Sequence, residues 1–526
     1  QGTPIGLLTK TELDQISDGA ALQLNWNLEK HKFMVGAAID QAQADYEMRQ
    51  RLGLIDAKHR VYEDPLNIDP QYGAAYSDVL GNKFDGKSTT KSLYFSETWS
   101  PRPNLHLTLA SRYNHTRAKS NLDARANTEL HEAASVPADA AYIVCPSSDL
   151  ASCPSVPKAV SAPNAVSTTN TKEDFTFESI NPALGLSWLP REDFNVFANL
   201  SRGARVPSVV ELGCAFDGTQ VPVFTTGDGQ VFTNARSLVG PTCSLPTTLS
   251  GDPFLPQIRS ISGELGARGV FKKRWEWNAS LFRTDLKDDI YFVGVGDGRS
   301  YFDTVGETRR QGLELGLKGK LGNFDLSTSY SFVDATFQSK FYIISPHNSS
   351  ADFDQNSQNT RSALDSSFGH RTLPSPTANE NRGFGTFRMI RVDPGARLPG
   401  IPAHSLNATV TWRPNRSLKL GLTMLARSKS YIRGNENNLH EPGGTDQETG
   451  RYICDSPDLF QCNSPNGFIQ DVAPDGRPFT LPGTVSAYAT FNLDAEYRFK
   501  NGLRLFGKIS NLFDKKYFTA GRLGIN

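Results

Sequence analysis

The chain has 526 residues, and its 55 Lys and Arg balance its 55 Asp and Glu, so the formal net charge is zero. Without a basic excess, the chain lacks the electrostatic footprint of a nucleic-acid-binding protein. Mean hydropathy is −0.42, and no stretch approaches the roughly 18 consecutive apolar residues of a membrane helix. Membrane β-strands escape this test, because their apolar residues alternate with polar ones.

Alternation of apolar and polar residues, over segments of about ten residues, is the main signal along the chain. In chain order it appears at Leu105–Leu109, Leu313–Leu317 and Leu406–Trp412. It is clearest in Ala487–Phe499, where the apolar residues fall on odd positions and nearly all the polar ones on even positions. A period of two predicts β-strands with one apolar and one polar face.

Short connections between these segments alternate with long ones. Tight-turn sequences lie at Glu29–His31, Pro101–Asn104, Pro190–Asp193, Lys272–Arg274, Gly319–Asn323, Arg413–Arg416 and Lys500–Gly502. Long irregular stretches lie at about 49–92, 123–174, 207–255, 336–397 and 434–482, with one short junction at Gly294–Ser300. Seven hairpins predict about 14 antiparallel strands with the long loops at one end, which is typical of an outer-membrane β-barrel and not of a soluble sandwich.

Tryptophan placement supports a membrane interface at the short turns. Four of the six Trp residues lie within a few residues of such a turn: Trp99, Trp188, Trp275 and Trp412. Indole rings prefer the boundary between acyl chains and water, so these residues predict an aromatic girdle at one rim.

The six cysteines form three local groups in polar stretches: Cys145 with Cys153, Cys214 with Cys243, and Cys454 with Cys462. This spacing predicts three loop disulfides formed in an oxidising compartment. Zinc is the alternative, but no group has Cys-x-x-Cys spacing or a nearby His.

Other motifs favour no catalytic or metal chemistry. Gly81–Ser88 matches G-x-x-x-x-G-K-[ST], but phosphate binding requires a strand before the motif and a helix after it. We expect a loop here, followed by a strand, and interpret the match as chance. The nine His residues show no i, i+4 or His-x-His spacing, and no Ser-His-Asp or Cys-His set stands out. We therefore predict no metal site, no cofactor and no enzymatic activity.

Five motifs, in order, resemble those of TonB-dependent outer-membrane receptors. They are Phe197–Leu212 (FANLSRGARVPSVVEL), Arg309–Leu315 (RRQGLEL), Tyr330–Thr336 (YSFVDAT), Leu398–Pro402 (LPGIP) and Asn511–Tyr517 (NLFDKKY). The resemblance covers essentially the whole chain and implies an all-β transmembrane antiparallel barrel in a Gram-negative outer membrane, with short periplasmic turns and long extracellular loops. Such receptors have about 22 strands around a plug. We therefore expect residues 1–526 to be a barrel-domain fragment with about 14 strands and no plug or coupling box.

The resemblance also implies a function. Such a receptor imports a scarce extracellular ligand, using energy that the TonB–ExbB–ExbD complex delivers through the plug. A ferric siderophore is the typical cargo, and the RRQGLEL and LPGIP stretches resemble importers of the small anionic cofactor pyrroloquinoline quinone. Expected partners are outer-membrane lipid, the energy-coupling complex and a small-molecule ligand, with no nucleic acid, and the protein is expected to be a monomer. A passive porin and a surface adhesin are the alternatives.

Arg202 and Arg205, at the extracellular entry to a cysteine-containing loop, are candidates to bind an anionic ligand together, with Glu211 nearby. The alternative is that they pair with carboxylates such as that of Glu211. The remaining charged strand residues are expected to line the lumen and, by the resemblance, to contact the plug: Arg112, Glu264, Arg268, Arg309, Arg310, Glu314, Arg498 and Arg504.

Overall fold

A computed structural model describes most of the chain. The described residues are 5–58, 60–68, 78–125, 168–213, 215, 220–225, 231–235, 255–294, 300–345, 348–350, 352–353, 388–442, 451–454, 468–471 and 481–523. The six cysteines lie outside the residues whose side chains are described, so the three disulfides stay predictions.

Fourteen antiparallel strands, each paired with the next along the chain, form the main sheet of the described residues. They are β1 (Ile5–Asn27), β2 (His31–Ile55), β3 (Val79–Arg102), β4 (Leu105–Arg125), β5 (Thr168–Arg191), β6 (Phe194–Arg205), β7 (Ile258–Phe271), β8 (Trp275–Lys287), β9 (Thr308–Leu321), β10 (Phe324–Phe337), β11 (His404–Trp412), β12 (Leu418–Arg427), β13 (Tyr488–Arg498) and β14 (Arg504–Ile509). A further short strand, Val61–Tyr62, pairs with the end of β2. The predicted number of strands is confirmed.

Seven short turns join these strands in pairs, at the seven predicted places. Residues 28–30 connect β1 to β2, and residues 103–104 connect β3 to β4. In the β7–β8 turn, Lys272 and Lys273 have φ of 51° and 55°, and in the last turn Gly502 has φ of 89°. Tight hairpins require this left-handed conformation, which glycine adopts without strain.

The connections at the opposite end contain small elements of their own. These are a 3-10 turn (Pro65–Asn67), a short helix α1 (Val209–Gly213), and the strands Gln220–Thr225, Val231–Ala235, Ile290–Gly294, Ser300–Thr304, Phe341–Ile344, Asp352–Phe353, Arg388–Val392, Ser430–Tyr431, Arg451–Cys454, Phe468–Asp471 and Thr484–Val485. The predicted short junction at Gly294–Ser300 connects two strands that pair with each other. Among the described residues, no helix is both long enough and apolar enough to cross a membrane.

Several strands extend much further than the sequence pattern predicts. β2 has 25 residues and β3 has 24, whereas a tilted strand crosses a bilayer in about 9–11 residues. The prediction of a loop over Gly81–Ser88 is wrong, because this segment lies inside β3 and pairs with β2 and β4. Above the bilayer the outer face of a strand meets water and not lipid, so the period-two signal weakens there although the strand continues.

Cross-strand register gives the sheet two different faces. On one face, Leu265, Leu281 and Leu313 are neighbours on β7, β8 and β9, and Leu265 and Leu281 are more than half exposed. Ser280 and Glu314 are paired on the opposite face. In an outer-membrane barrel the apolar face contacts lipid and the polar face lines the lumen. We call them the outer face and the inner face.

Tryptophan side chains mark the rim at the short turns. Trp99, Trp188 and Trp412 are 44%, 47% and 41% exposed on the outer face, and Trp26 joins them at 47%. Trp99 stacks on His31 at the start of β2, with ring centroids 6.4 Å apart. The predicted aromatic girdle is therefore present, and it defines the level of one membrane interface.

The best-packed apolar core lies at the other end of the strands, on the inner face. Its buried members come from β3, β4 and β5 and from the loop that contains α1: Phe84, Ala118, Leu122, Phe177, Leu212, Ala215 and Leu255. The described part of the loop between β6 and β7 thus folds inward over the upper part of the sheet, and this places the candidate site.

Candidate functional site

Arg205 and Glu211 form an ion pair that fastens α1 to the end of β6. The Arg205 Nη1 and Nη2 atoms lie 2.7 and 2.9 Å from the two carboxylate oxygens of Glu211, a bidentate geometry. The backbone N–H of Ser208 also donates to Glu211, at 2.7 Å. This is the second of the two arrangements considered from the sequence, in which the arginine pairs with a carboxylate.

The Glu211 side chain is 14% exposed and that of Arg205 is 50% exposed. Burial pushes the pKa of the Glu211 carboxyl upward, but the hydrogen bonds from Arg205 and Ser208 together outweigh burial and hold that pKa below its ordinary value. The hydrogen bond to Glu211 raises the pKa of Arg205. Both groups are therefore charged at neutral pH.

Packing beneath this ion pair seats the loop on the sheet. Leu212 and Ala215 are 4% and 0% exposed, and they pack against Ala118 and Phe177 on the inner faces of β4 and β5. Gly86 of β3 makes the close approach possible, since a Cβ atom there would lie 2.6 Å from the Phe84 ring and 2.9 Å from the Val209 Cβ. The loop thus closes over the inner face through both charge and apolar contact.

Arg202 does not join Arg205. On β6 the residues paired with outer-face neighbours have even numbers, and Arg202 is paired with the exposed Ile261 of β7. Arg205 lies three positions away and therefore on the opposite face, because side chains alternate along a strand. The expected side-by-side arginine pair is not formed, for this reason.

The inner face carries seven of the eight charged residues expected in the lumen, among them Arg112, Glu264, Arg268 and Glu314. Arg112 donates hydrogen bonds to Ser92 Oγ and Asn114 Oδ1, each at 2.9 Å. Arg268 lies over the Phe197 ring, 5.7 Å from its centroid. Arg112 Nη2 also lies 4.0 Å from Asp40 Oδ2.

Arg309 and Arg310 lie on opposite faces of β9, because consecutive strand residues alternate. Arg310 is on the inner side, bonded to Thr308 and Asp289. Arg309 is on the outer face and binds Asp285 at 2.6 Å. The expectation that Arg309 lines the lumen is therefore wrong.

Arg498 and Arg504 are directly opposite each other on the inner face of the last hairpin, next to its short turn. Neither makes an ion pair with a described residue. Two like charges directly opposite across a strand pair are unfavourable, so this rim of the inner face favours an anionic neighbour.

A buried polar network at the long-loop end was not anticipated from the sequence. Asn348, Asn435, Glu436 and His440 are all less than 8% exposed. Asn348 Nδ2 donates to the Gly434 carbonyl at 2.8 Å. The run Gly434–His440 is polar and follows a strand. This pattern predicts an exposed loop, so no sequence signal indicates that the run is buried.

The same network holds the LPGIP stretch in place. Asn438 accepts from the backbone N–H of Arg397 at 2.6 Å and donates to the Arg397 carbonyl at 3.1 Å. The Gly400 N–H donates to the backbone carbonyl of Tyr431 at 2.8 Å. The LPGIP stretch is therefore fixed at the long-loop end of the sheet, which we call the mouth.

Glu436 is the acidic residue of this buried network. Its Oε1 accepts hydrogen bonds from Tyr291 Oη at 3.0 Å and from the Gly434 N–H at 3.1 Å, while Oε2 has no partner among the described residues. Burial raises the pKa of the Glu436 carboxyl, and these hydrogen bonds lower it by less. Within the described residues, no group of three His, Cys, Asp or Glu gathers to hold a metal ion.

An antiparallel meander with an apolar outer face, an aromatic rim at its short turns and a loop folded over its inner face is typical of an outer-membrane β-barrel. The family model for the β-barrel of TonB-dependent-receptor-like proteins matches residues 4–512. The chain therefore belongs to the TonB-dependent receptor β-barrel family, and its place is the outer membrane of a Gram-negative bacterium.

Solved structures share this fold. The ferric yersiniabactin uptake receptor FyuA from Yersinia pestis aligns with a TM-score of 0.51 and 11% identity, over 99% of this chain and 52% of that one. The siderophore receptor PiuA from Acinetobacter baumannii gives 0.51 and 15%, over 98% and 54%. The ferric-catecholate import receptor Fiu from E. coli K12 gives 0.52 and 12%, over 98% and 52%. The chain thus spans about half the length of these receptors.

Proposed function

We propose that the protein containing this chain imports a scarce small ligand across the outer membrane by TonB-dependent active transport. The observation that carries the proposal is the match of residues 4–512 to the receptor barrel family. The loop that folds inward over the upper inner face, fastened by Arg205 and Glu211, adds support. A receptor needs such ordered loops to hold a dilute ligand, and a wide passive pore does not.

Energy coupling is part of the same proposal. TonB, energised by ExbB and ExbD, would act on a plug held against the inner face, and the barrel itself would need no catalytic residue. Arg112, Arg268, Arg498 and Arg504 are suited to contact an acidic plug surface, because these basic residues lie on the inner face. The protein would act as a monomer.

A small anionic cargo suits this site best. The neighbouring structures are receptors for ferric yersiniabactin, siderophores and ferric catecholates, and the RRQGLEL and LPGIP stretches resemble importers of pyrroloquinoline quinone. Ferric siderophores and this quinone carry carboxylate, catecholate or hydroxamate oxygens, which arginine recognises in a bidentate manner. Arg205 and Glu211 would contribute at the mouth, with Arg205 becoming available to a ligand when Glu211 releases it.

Uptake by the full-length protein tests the proposal. A strain that lacks the gene is complemented with wild-type protein, and accumulation of a catecholate, a hydroxamate and a carboxylate ferric siderophore and of pyrroloquinoline quinone is measured with and without TonB. We expect uptake of one of these to disappear when TonB is deleted. Arg205→Ala should weaken uptake of that cargo about tenfold, the loss typical of one charged hydrogen-bonding partner.

The alternatives predict different results. A passive porin would show a large, steady conductance in planar bilayers and uptake that persists without TonB. A surface adhesin would leave uptake of every tested cargo unchanged on gene deletion while surface attachment falls. Either result would overturn the import proposal.

A further inference from the structure

The seven short turns share a positive charge that the chain as a whole lacks. They contain ten basic residues against three acidic ones, Glu29, Glu192 and Asp193, whereas the whole chain has 55 of each kind. Short turns face the periplasm in an outer-membrane barrel. The periplasmic end of this barrel is therefore its positive end.

The β7–β8 turn is the most basic of the seven. It consists of Lys272, Lys273 and Arg274, and we call it the cationic turn. All three residues are exposed, and none of them makes an ion pair with a described residue. In the neighbouring β5–β6 turn, the Asp193 carboxylate lies 3.9 Å from Arg191 of its own turn. The cationic turn thus presents three positive charges at the periplasmic rim.

Backbone geometry indicates that the lysine side chains of this turn have a role of their own. Lys272 and Lys273 have φ of 51° and 55°, in the left-handed region that disfavours most residues other than glycine. At two of the other short turns the residue with positive φ is a glycine, Gly322 or Gly502, and tight hairpins prefer Asn-Gly. Since the backbone alone favours glycine here, the strain retained at two consecutive lysines indicates a function of their ammonium groups.

Aromatic side chains of the outer face lie directly beside these cations. The Lys272 Nζ atom is 5.2 Å from the centroid of the Phe271 ring, which is 57% exposed on the outer face and paired with Trp275. In the neighbouring turn, the Arg191 guanidinium is 5.8 Å from the Phe194 centroid. An aromatic girdle marks the boundary between acyl chains and head groups. The cationic turn, just beyond it, therefore lies at the level of the lipid phosphates.

This position favours a lipid as the ligand over a soluble acidic protein. Lys272 extends over the ring of Phe271 and thus toward the lipid-facing surface. Further along β7 and β8 the outer face is apolar, because Leu265 and Leu281 are paired there and are both more than half exposed. A phospholipid matches both features, with a phosphate for the cations and acyl chains for the leucines.

The charge of the cationic turn favours an anionic phospholipid over a zwitterionic one. Phosphatidylethanolamine carries an ammonium group next to its phosphate, and the turn contains no acid that could receive this group. Its ammonium would instead lie close to three cations and be repelled by them. Phosphatidylglycerol carries the same phosphate with neutral hydroxyl groups, so this repulsion does not arise.

We propose that the cationic turn binds the phosphodiester group of an anionic phospholipid in the inner, periplasmic leaflet of the outer membrane. Arg274 is suited to bind two phosphate oxygens in a bidentate manner, and Lys272 and Lys273 act as point charges beside it. The acyl chains lie along the outer faces of β7 and β8. The bound lipid fixes the level of the short-turn rim in the membrane, a role that does not depend on the cargo or on import.

Lipid binding by the full-length protein in detergent tests this proposal. Native mass spectrometry measures its affinity for phosphatidylglycerol and for phosphatidylethanolamine with the same acyl chains. We expect phosphatidylglycerol to bind about tenfold more tightly at low salt, because basic groups at a membrane surface attract anionic head groups. This preference should shrink as the salt concentration is raised. Glycerophosphate at equal concentration should not compete, because it lacks the acyl chains.

Matched variants separate this effect from a general loss of charge or fold. Lys272→Asn with Lys273→Gly removes two cations and gives the turn the sequence that tight hairpins prefer, so the fold should be retained. This variant should bind the two lipids with affinities that differ by no more than about twofold.

Two controls accompany this variant. Lys272→Arg with Lys273→Arg keeps the charge and should keep the preference for phosphatidylglycerol. Lys83→Gln with Lys87→Gln removes two exposed cations from β3, far from the short turns, and should leave the preference unchanged. Equal affinity of the wild type for the two lipids, or a full preference in the Asn-Gly variant, would overturn the proposal.

Discussion

At the scale of single residues, parity along a strand decides what an arginine can do. Arg202 and Arg205 differ by three positions, and Arg309 and Arg310 by one, so in a period-two strand each pair is divided between two faces. The sequence suggested that Arg202 and Arg205 act together and that Arg309 and Arg310 both line the lumen, and the register separates the two members of each pair. The positions of the neighbouring leucines indicate which alternate residues of a strand face outward, and this predicts the direction of a side chain better than its charge does.

Removing the Arg205–Glu211 ion pair should loosen α1. Arg205→Ala leaves a carboxylate that is only 14% exposed without its bidentate partner. We expect a local destabilisation of about 1–2 kcal/mol, less than for a fully buried pair because Arg205 is half exposed. Hydrogen exchange of the amides of residues 206–213 measures it, and Arg391→Ala, which breaks the exposed Arg391–Asp393 pair, is the control that should change nothing there.

The pH dependence of the same contact has a defined sign. The folded protein holds the pKa of Glu211 below its ordinary value, so the stabilisation is present above the ordinary carboxyl pKa and is lost as pH falls through the folded-state pKa. Exchange of these amides should therefore accelerate in acid in the wild type. In Glu211→Gln it should already be fast at neutral pH and change less, and identical profiles would contradict the assignment.

Glu436 should show the opposite sign. Burial raises the pKa of its carboxyl, so its contribution is fully present at low pH and is lost as pH rises through the folded-state pKa. We expect the loop 432–440 to exchange faster as pH rises above the ordinary carboxyl pKa, after correction for intrinsic exchange. Glu436→Gln, which cannot ionise, should remove this trend, and the same slope in both proteins would argue against it.

At the scale of elements, hairpins are well predicted and strand lengths are not. The seven short turns follow from local chemistry such as Asn501–Gly502, and the lipid-facing alternation identifies each crossing segment. Neither signal marks the strand segments that continue above the bilayer. The upper halves of β2 to β5 are held by backbone hydrogen bonds to neighbouring strands, which a single sequence does not display.

The seating of α1 on β3 depends on the space above Gly86. Gly86→Leu should displace the helix, because a Cβ atom there would meet the Phe84 ring at 2.6 Å and the Val209 Cβ at 2.9 Å. We expect the β6–β7 loop to become sensitive to limited proteolysis while the β-sheet circular dichroism is retained. Gly507→Leu, at a strand glycine with no atom within 4 Å of the added Cβ, should leave the loop resistant, and equal resistance of both variants would show that α1 does not need this space.

At the scale of the whole molecule, the protein class and its cellular location follow from the sequence, whereas the loop contacts at the mouth do not. Period-two strands, turns at one end and ordered family motifs are one-dimensional patterns, and they predict the barrel. The mouth depends on contacts between distant segments, such as Tyr291 with Glu436 and Ala118 with Leu212. Polar runs between strands carry no periodicity that would indicate which loop folds onto which strand.

The height of β2 has a practical consequence. Its far end, Ile55, is 24 residues from the turn, roughly 80 Å along the strand and roughly 60 Å along the membrane normal at a tilt of about 40°. About 35 Å of hydrogen-bonded wall therefore stands above the apolar band. A peptide epitope inserted just beyond Ile55 would be held rigidly, far above the bilayer. An antibody could bind it there even where surface sugars prevent the antibody from reaching the membrane.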